Sequence, residues 1–259
     1  MSYRIAITGK GGVGKTSVAG LSILRLIARG CRPVLAVDAD PNTNLDAALG
    51  VKVEKTVGSG REQARQIATE QAPGGLSKRE LLEFKIAESL VEGDDFDLIA
   101  MGRPEGPGCY CYANVVLKDV IAQFSSQYPY VVLDNEAGLE NLSRRIVQHI
   151  DLMVIVSDPS QSGLKTAARL QALAGEMQIS YDRLVLVVNR LRRGEIPPGA
   201  SDLKEALKAD LMVGLPDDDM LAKCAEQGLS LKQLPLDNPV MAQIDQLLDQ
   251  AGVSPGYSR

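Results

Sequence analysis

Eight residues near the start of this 259-residue sequence limit its fold most: Gly9-Lys10-Gly11-Gly12-Val13-Gly14-Lys15-Thr16. They satisfy G-x-x-x-x-G-K-[ST], between an apolar run that reads as a strand (4–8) and an amphipathic run that reads as a helix (15–29). That setting is what a phosphate-binding loop requires. Its glycines let the chain wrap with N–H groups turned inward, and the helix that follows points its positive end at the same place. Lys15 is then placed for β- and γ-phosphates and the Thr16 hydroxyl for Mg²⁺, with residues 11–17, through Ser17, as the cradle.

The rest of the chain repeats the strand-then-helix alternation. Residues 4–8, 33–37, 96–101, 130–133, 152–156, 184–188 and 211–215 read as strands, most of them near-continuously apolar. Such runs are expected where helices cover both faces of a parallel sheet. Helical patterns occupy 15–29, 114–127, 139–149, 163–177 and 240–250, the last with Asn238 as N-cap and Pro239 as first helical residue. The expected fold is α/β: a doubly wound, mostly parallel sheet flanked by helices, in one domain over residues 1–259. The polar, Gly-bearing stretch 51–75 is the least regular part.

Composition bears on partners. A net charge of −5 and 4% aromatic residues with no Trp argue against a nucleic-acid partner. No basic segment precedes the first apolar run and no stretch approaches a membrane span, so neither export nor a membrane is expected. The expected address is the cytoplasm, where four cysteines are thiols and a local pair points to metal or redox chemistry.

Carboxylates fall where ligands of an open parallel sheet bind, at the carboxyl ends of strands. Asp38 and Asp40 end the second strand, suited to orienting a water and to holding Mg²⁺ through another. Asp40-Pro41 also reads as a helix cap followed by the first helical residue. Asp134 ends the fourth strand and reads as the indirect Mg²⁺ anchor. Asn189 and Arg190 follow the sixth strand, and Asn189 can donate and accept at a base edge. An Asn-Lys-x-Asp guanine signature is missing, because Asn189 is followed by Arg190-Leu191-Arg192, so ATP is expected over GTP. Pro216 and Asp217 follow the seventh strand and equally fit a plain helix start. Lys10 is free to reach a nucleotide held by another subunit, as an arginine finger does; a solvated lysine is the plainer reading.

Cys109-Tyr110-Cys111 follows the Gly/Pro-rich loop 101–108. In an extended segment both sulfurs project to one face, yet two thiolates do not close a tetrahedral site. No other Cys or His is near in sequence, and a two-fold dimer would supply a second pair. Soft thiolates suit Zn²⁺, Cu(I) or Ni²⁺. Cys31 and Cys224 read as packing residues, and His149, the only histidine, as a charge at a helix end.

Residues 10–16, Lys-Gly-Gly-Val-Gly-Lys-Thr, resemble the deviant Walker A motif of the MinD, ParA, ArsA and nitrogenase iron protein superfamily. The resemblance implies that Lys10 marks ATP-dependent dimerisation, that Asp40 activates the attacking water, and that 134–140 is a switch whose glycine amide senses the γ-phosphate. It also implies adenine contacts from Asn189, Arg190, Pro216 and Asp217. Glu136 stands where many members carry proline. More narrowly, Gly-Cys-Tyr-Cys-Tyr-Ala-Asn (108–114), the Met-Gly-Arg-Pro before it and Asp-Asn-Glu-Ala-Gly-Leu-Glu (134–140) resemble the CooC family. Its members are accessory ATPases that mature the nickel enzyme carbon monoxide dehydrogenase, with a relative serving acetyl-CoA synthase. That implies a homodimer in which Cys109 and Cys111 of both subunits bind one Ni²⁺ or Zn²⁺.

Three other readings fit less well. An iron–sulfur reductase of the nitrogenase type wants a cysteine shortly after Asp134, and none is there. A MinD- or ParA-like positioning switch wants a basic patch or an amphipathic C-terminus, and residues 251–259 are neither. A GTP-driven nickel insertase is disfavoured by the missing guanine signature and the single histidine.

Overall fold

Each of the seven apolar runs becomes a strand, and an eighth, two-residue strand joins them at one edge. The structure, a computed structural model, describes residues 2–60, 77–102, 122–124, 126–139 and 149–256. The strands are β1 (Tyr3–Gly9), β2 (Val34–Asp38), β3 (Leu90–Val91), β4 (Phe96–Ala100), β5 (Tyr130–Asp134), β6 (Ile150–Ser157), β7 (Tyr181–Leu191) and β8 (Leu211–Pro216). They form one sheet in the order β3-β4-β2-β5-β1-β6-β7-β8, parallel throughout except for the β3–β4 pair. The order reverses on either side of β1, which makes its carboxyl end the switch point where a doubly wound sheet binds ligands.

The α-helices described over their full span are α1 (Lys15–Ala28), α2 (Leu45–Leu49), α3 (Lys78–Ala87), α4 (Gln161–Glu176), α5 (Pro198–Leu207), α6 (Asp219–Gln227) and α7 (Pro239–Gln250). α1, α4 and α7 answer to expected runs, and Asn238 caps α7 by accepting from the Val240 amide at 2.9 Å. α3 and α5 fall outside the expected runs, while α2 and α6 begin a few residues after the helix starts expected at Asp40-Pro41 and Pro216-Asp217. α3 had a readable signal in Ser77 and Glu80, which form a reciprocal capping box. Of the run 114–127, residues 122–124, 126 and 127 are described and helical; 140–148 of the run 139–149 lie outside the described residues. In the stretch 51–75, residues 51–56 carry no regular structure, 57–60 are helical, and those from 61 on are outside the described residues.

Side chains alternate across the strands into two cores. Ile5, Ile7, Val132, Val154 and Val156 pack on the face covered by α1 and α7. Ala6, Val131, Leu133, Met153 and Ile155 pack on the face covered by α4 and α5. Both sides of every central strand are therefore buried, which is why the runs lack a polar alternation. Asp38 and Asp134 share the parity of Ala36 and Val132, so they leave the sheet on the α1 face.

α7 is fastened to α1 by charge as well as by packing. Arg25 grips Asp245 with Nε at 3.0 Å and Nη2 at 2.7 Å, and Arg29 reaches the Asp245 carbonyl and the Asp249 carboxylate. Both Arg25 and Asp245 are largely shielded, which favours a two-pronged pair over the usual weak surface bridge. Arg25→Ala is expected to lower stability by about 1 kcal/mol in urea unfolding, and an unchanged midpoint would show that packing alone docks α7.

Candidate nucleotide-binding site

The loop 9–16 folds tightly because two of its glycines hold a backbone that side chains rarely adopt. Gly12 has φ 78° and Gly14, immediately before α1, has φ 93°. Gly14 is constrained twice, since a Cβ there would lie 2.4 Å from Asn189 Nδ2. That amide donates to the Val13 carbonyl at 2.8 Å, and Asn189 Oδ1 accepts from the Arg190 amide at 2.9 Å. Asn189 is buried and acts as a brace between the loop and the end of β7. Arg190, φ 62°, sits at the break in the β7–β8 register between Val188 and Leu191, and its side chain is exposed.

Lys15 is buried in the first turn of α1, and its Nζ donates to the Lys10 carbonyl at 3.3 Å. Burial pushes its pKa down, while Asp134, Asp40 and Glu136 pull it up. The Lys10 side chain is exposed.

The carboxylates divide by environment. Asp38 is fully buried and accepts three backbone N–H groups: Asp40 at 3.0 Å, and Asn44 and Leu45 at 2.9 Å each. It therefore shapes the turn between β2 and α2. Burial still pushes its pKa up, against those amides. Asp40 does not cap a helix at Pro41. Its Oδ1 accepts from the Asn42 amide at 2.8 Å and Asn42 Nδ2 at 3.0 Å, and helix geometry begins only at Leu45, behind Asn44. The proline fixes a turn here because Asp38 takes the amides that define the start of α2.

Asp134 lies opposite Ile7 on β1 and Asp38 on β2, 1% exposed, with neither carboxylate oxygen in a hydrogen bond of normal geometry. Burial, with Asp38 adding repulsion, pushes its pKa up to about 7; the Thr16 hydroxyl and Lys15 beside it pull the other way. A buried acceptor pair next to a threonine hydroxyl is the donor set a hard divalent cation takes. The following turn is anchored to β1: the Asn135 amide and Nδ2 both donate to the Ile7 carbonyl, and Thr8 Oγ1 donates to the Gly138 carbonyl at 2.6 Å.

Two adjoining cavities meet at Gly14, Ser17 and Arg190. The larger, about 590 Å³, is lined by Gly11, Gly12, Lys15, Thr16 and Asp40. The smaller, about 360 Å³, is lined by Asn189, Pro216 and Asp217. Together they suit a ligand with a charged tail and a planar head. The structure thus gathers nearly all the expected residues, with Val13 buried beneath them and Asp38 and Asp134 at the strand ends behind. Cys109 and Cys111 lie outside the described residues. Missed were Asn42, Asn44 and Ala137 in the first cavity and Arg192 and Asp218 in the second. Asp218, not Asp217, caps α6, accepting the Leu221 amide at 2.7 Å. Cys31 packs in the core as expected; Cys224 is buried and also borders the larger cavity.

Asp134 yields a test of pH dependence. A carboxyl whose folded pKa lies above its unfolded value binds its proton more tightly when folded. Its contribution to stability is full below about pH 4 and is lost as the pH rises towards about 7. In EDTA and without nucleotide, Asp134→Asn is expected to raise the melting temperature at pH 8 and to matter little at pH 4. The gain corresponds to at least about 1 kcal/mol, and equal shifts at both pH values would sink this account.

With the site in place, known proteins give it a family. Residues 5–231 match the CbiA family, the CobQ/CobB/MinD/ParA nucleotide binding domain. An uncharacterised ATP-binding protein of Methanocaldococcus jannaschii is 38% identical, with 95% of this chain and 97% of that one covered. The carbon monoxide dehydrogenase accessory protein CooC of Rhodospirillum rubrum is 30% identical over 98% of this chain and 100% of its own. A ParA family ATPase from Chlorobium tepidum superposes with a TM-score of 0.70 at 19% identity, covering 98% of this chain and 100% of that one. Pyrococcus horikoshii MinD in complex with Mg-ADP gives 0.65 at 18% identity, over 99% and 100% of the two chains. The chain is therefore a P-loop ATPase of the CobQ/CobB/MinD/ParA nucleotide-binding family.

Proposed function

We propose that this chain is an ATP-driven maturation factor for a nickel enzyme, such as carbon monoxide dehydrogenase or acetyl-CoA synthase. It acts in the cytoplasm as a homodimer of one nucleotide-binding domain per chain. The observation that carries this reading is the end-to-end similarity to an accessory protein of carbon monoxide dehydrogenase, in a chain that has the Cys109-Tyr110-Cys111 pair. The cargo is Ni²⁺ or Zn²⁺, held by Cys109 and Cys111 of both subunits.

The loop amides and Lys15 hold the triphosphate of ATP, and the cavity of Asn189, Arg190, Pro216 and Asp217 takes the adenine. The Thr16 hydroxyl would hold Mg²⁺ with the Asp134 carboxylate as its indirect anchor, and the ion would supply charge neutralisation on the phosphates. Asp40, which borders the phosphate cavity, orients the attacking water through its carboxylate. The water oxygen bonds to the γ-phosphorus as the bond to the bridging oxygen of ADP breaks, releasing ADP and phosphate. Lys10 of each subunit reaches the phosphates bound by the other and stabilises the charge of that transfer. Hydrolysis drives transfer of the cargo because the ATP-bound and ADP-bound dimers differ in affinity for it.

A positioning switch like MinD is the second reading, favoured by 27% identity to Bacillus subtilis MinD over 88% of this chain. The two part on metal. Native mass spectrometry of the reduced protein with ATP and Ni²⁺ or Zn²⁺ is expected to show one thiolate-bound ion per dimer, absent from Cys109→Ser/Cys111→Ser. ATP-dependent dimers with no such ion would favour the switch. Lys10→Ala is expected to slow hydrolysis at least about tenfold and to weaken the ATP-bound dimer in sedimentation. Wild-type values for both would remove the lysine from the partner's site.

A further inference from the structure

At the end of the sheet remote from the nucleotide cavities, neighbouring strands bring titratable side chains into one row. β6 and β7 start in parallel register, Ile150 with Tyr181 and Leu152 with Arg183. Asp151 and Asp182 lie between these pairs, so they are lateral neighbours whose side chains leave on the same face. On the other side, the Arg4 amide of β1 donates to Asp151 Oδ2 at 2.8 Å. His149, one residue before β6, completes the cluster. Eight residues of β6 put it about 25 Å from the phosphate loop.

The imidazole is held in an orientation that bares one nitrogen. His149 Nδ1 lies 3.1 Å from Ser180 Oγ; in the tautomer with its proton on Nδ1, that proton is donated to the hydroxyl and Nε2 keeps its lone pair. Nε2 is buried and lies 3.1 Å from Asp182 Oδ2, yet the two atoms lack the alignment of a hydrogen bond. They do not aim at each other. Ligand atoms of His149, Asp151 and Asp182 all fall within 4.8 Å of one another. Two ligands roughly 2.1 Å from one metal ion, at tetrahedral to octahedral angles, stand roughly 3.0–3.4 Å apart, which is the spacing of Nε2 and Oδ2.

We propose that His149, Asp151 and Asp182 form a divalent-metal site, separate from the nucleotide site and built without a thiolate. One imidazole and two carboxylates suit a borderline first-row ion such as Zn²⁺ and disfavour Cu(I), which prefers sulfur. Ser180 is the outer partner that fixes the tautomer. Asp151 is 4% exposed and rigidly placed in β6, while Asp182 is exposed and gives an ion its way in. The bound ion ties the start of β6 to the start of β7.

The test removes the thiols first. Full-length Cys109→Ser/Cys111→Ser protein, stripped with EDTA and free of nucleotide, is titrated with Zn²⁺ against a chromophoric chelator. One Zn²⁺ per chain is expected, weakened more than about tenfold by His149→Ala and, independently, by the surface change Asp182→Asn. His149→Gln guards against misfolding and should match His149→Ala, with thermal melts reporting that each variant is folded. Three results would overturn the proposal: no Zn²⁺ on the thiol-free protein, undiminished binding in folded His149→Ala or His149→Gln, or binding lost on Asp134→Asn instead. The cysteine proposal is untouched by each of these outcomes, because its ligands are already gone.

Discussion

The hydrogen bond from the Asn189 side chain to the Val13 carbonyl joins the parts of the site that the chain order keeps 176 residues apart. Val13 belongs to the phosphate loop after β1, and Asn189 to the end of β7, two strands away in the sheet. Because the brace passes so close to Gly14, the loop has one backbone path, and α1 starts from a fixed point. The same asparagine orders Arg190 through its other side-chain atom, which brings the smaller cavity into register with the larger one. A single neutral amide thereby sets the distance between the two cavities.

Behind that frame the carboxylates show how one face of a sheet can hold opposite roles. Asp38 and Asp134 are neighbours in register, alike in depth, and differ in their partners. Asp38 spends its oxygens on three amides and builds a turn. Asp134 spends neither and is left costly, with its pKa raised, at the point where a cation is wanted. Stability given up at Asp134 is the physical signature of a site that a ligand completes.

Much of this was legible in the residues. The near-continuous apolar runs revealed a two-faced parallel sheet, and the loop motif located its switch point, because burial on both faces and a phosphate cradle each need few residue types. Asp134 was readable from its place at a strand end. What escaped were short or polar elements: β3 has two residues, and α2 has five, too few for a period to show. The cap of α6 was misplaced by one residue because Pro216 stays in β8 and Asp217 donates to the Leu191 carbonyl, which leaves Asp218 to start the helix. Asn189 reads from its chemistry as a base contact; the fold adds that its Nδ2 donates to the Val13 carbonyl while the residue lines the smaller cavity. His149 is adjacent to neither Ser180 nor Asp182 in sequence, so strand register alone brings them together.

The carboxylate of Asp218 does one more thing than cap α6: its second oxygen accepts from Asn238 Nδ2 at 3.1 Å, and Asn238 caps α7. Two helix starts thus share one contact, and α7 in turn is clamped to α1, which carries Lys15 and Thr16. Seen as inheritance, positions 218 and 238 are a linked pair. A change at either weakens two caps at once, so a lineage can alter this corner of the protein cheaply only by altering both.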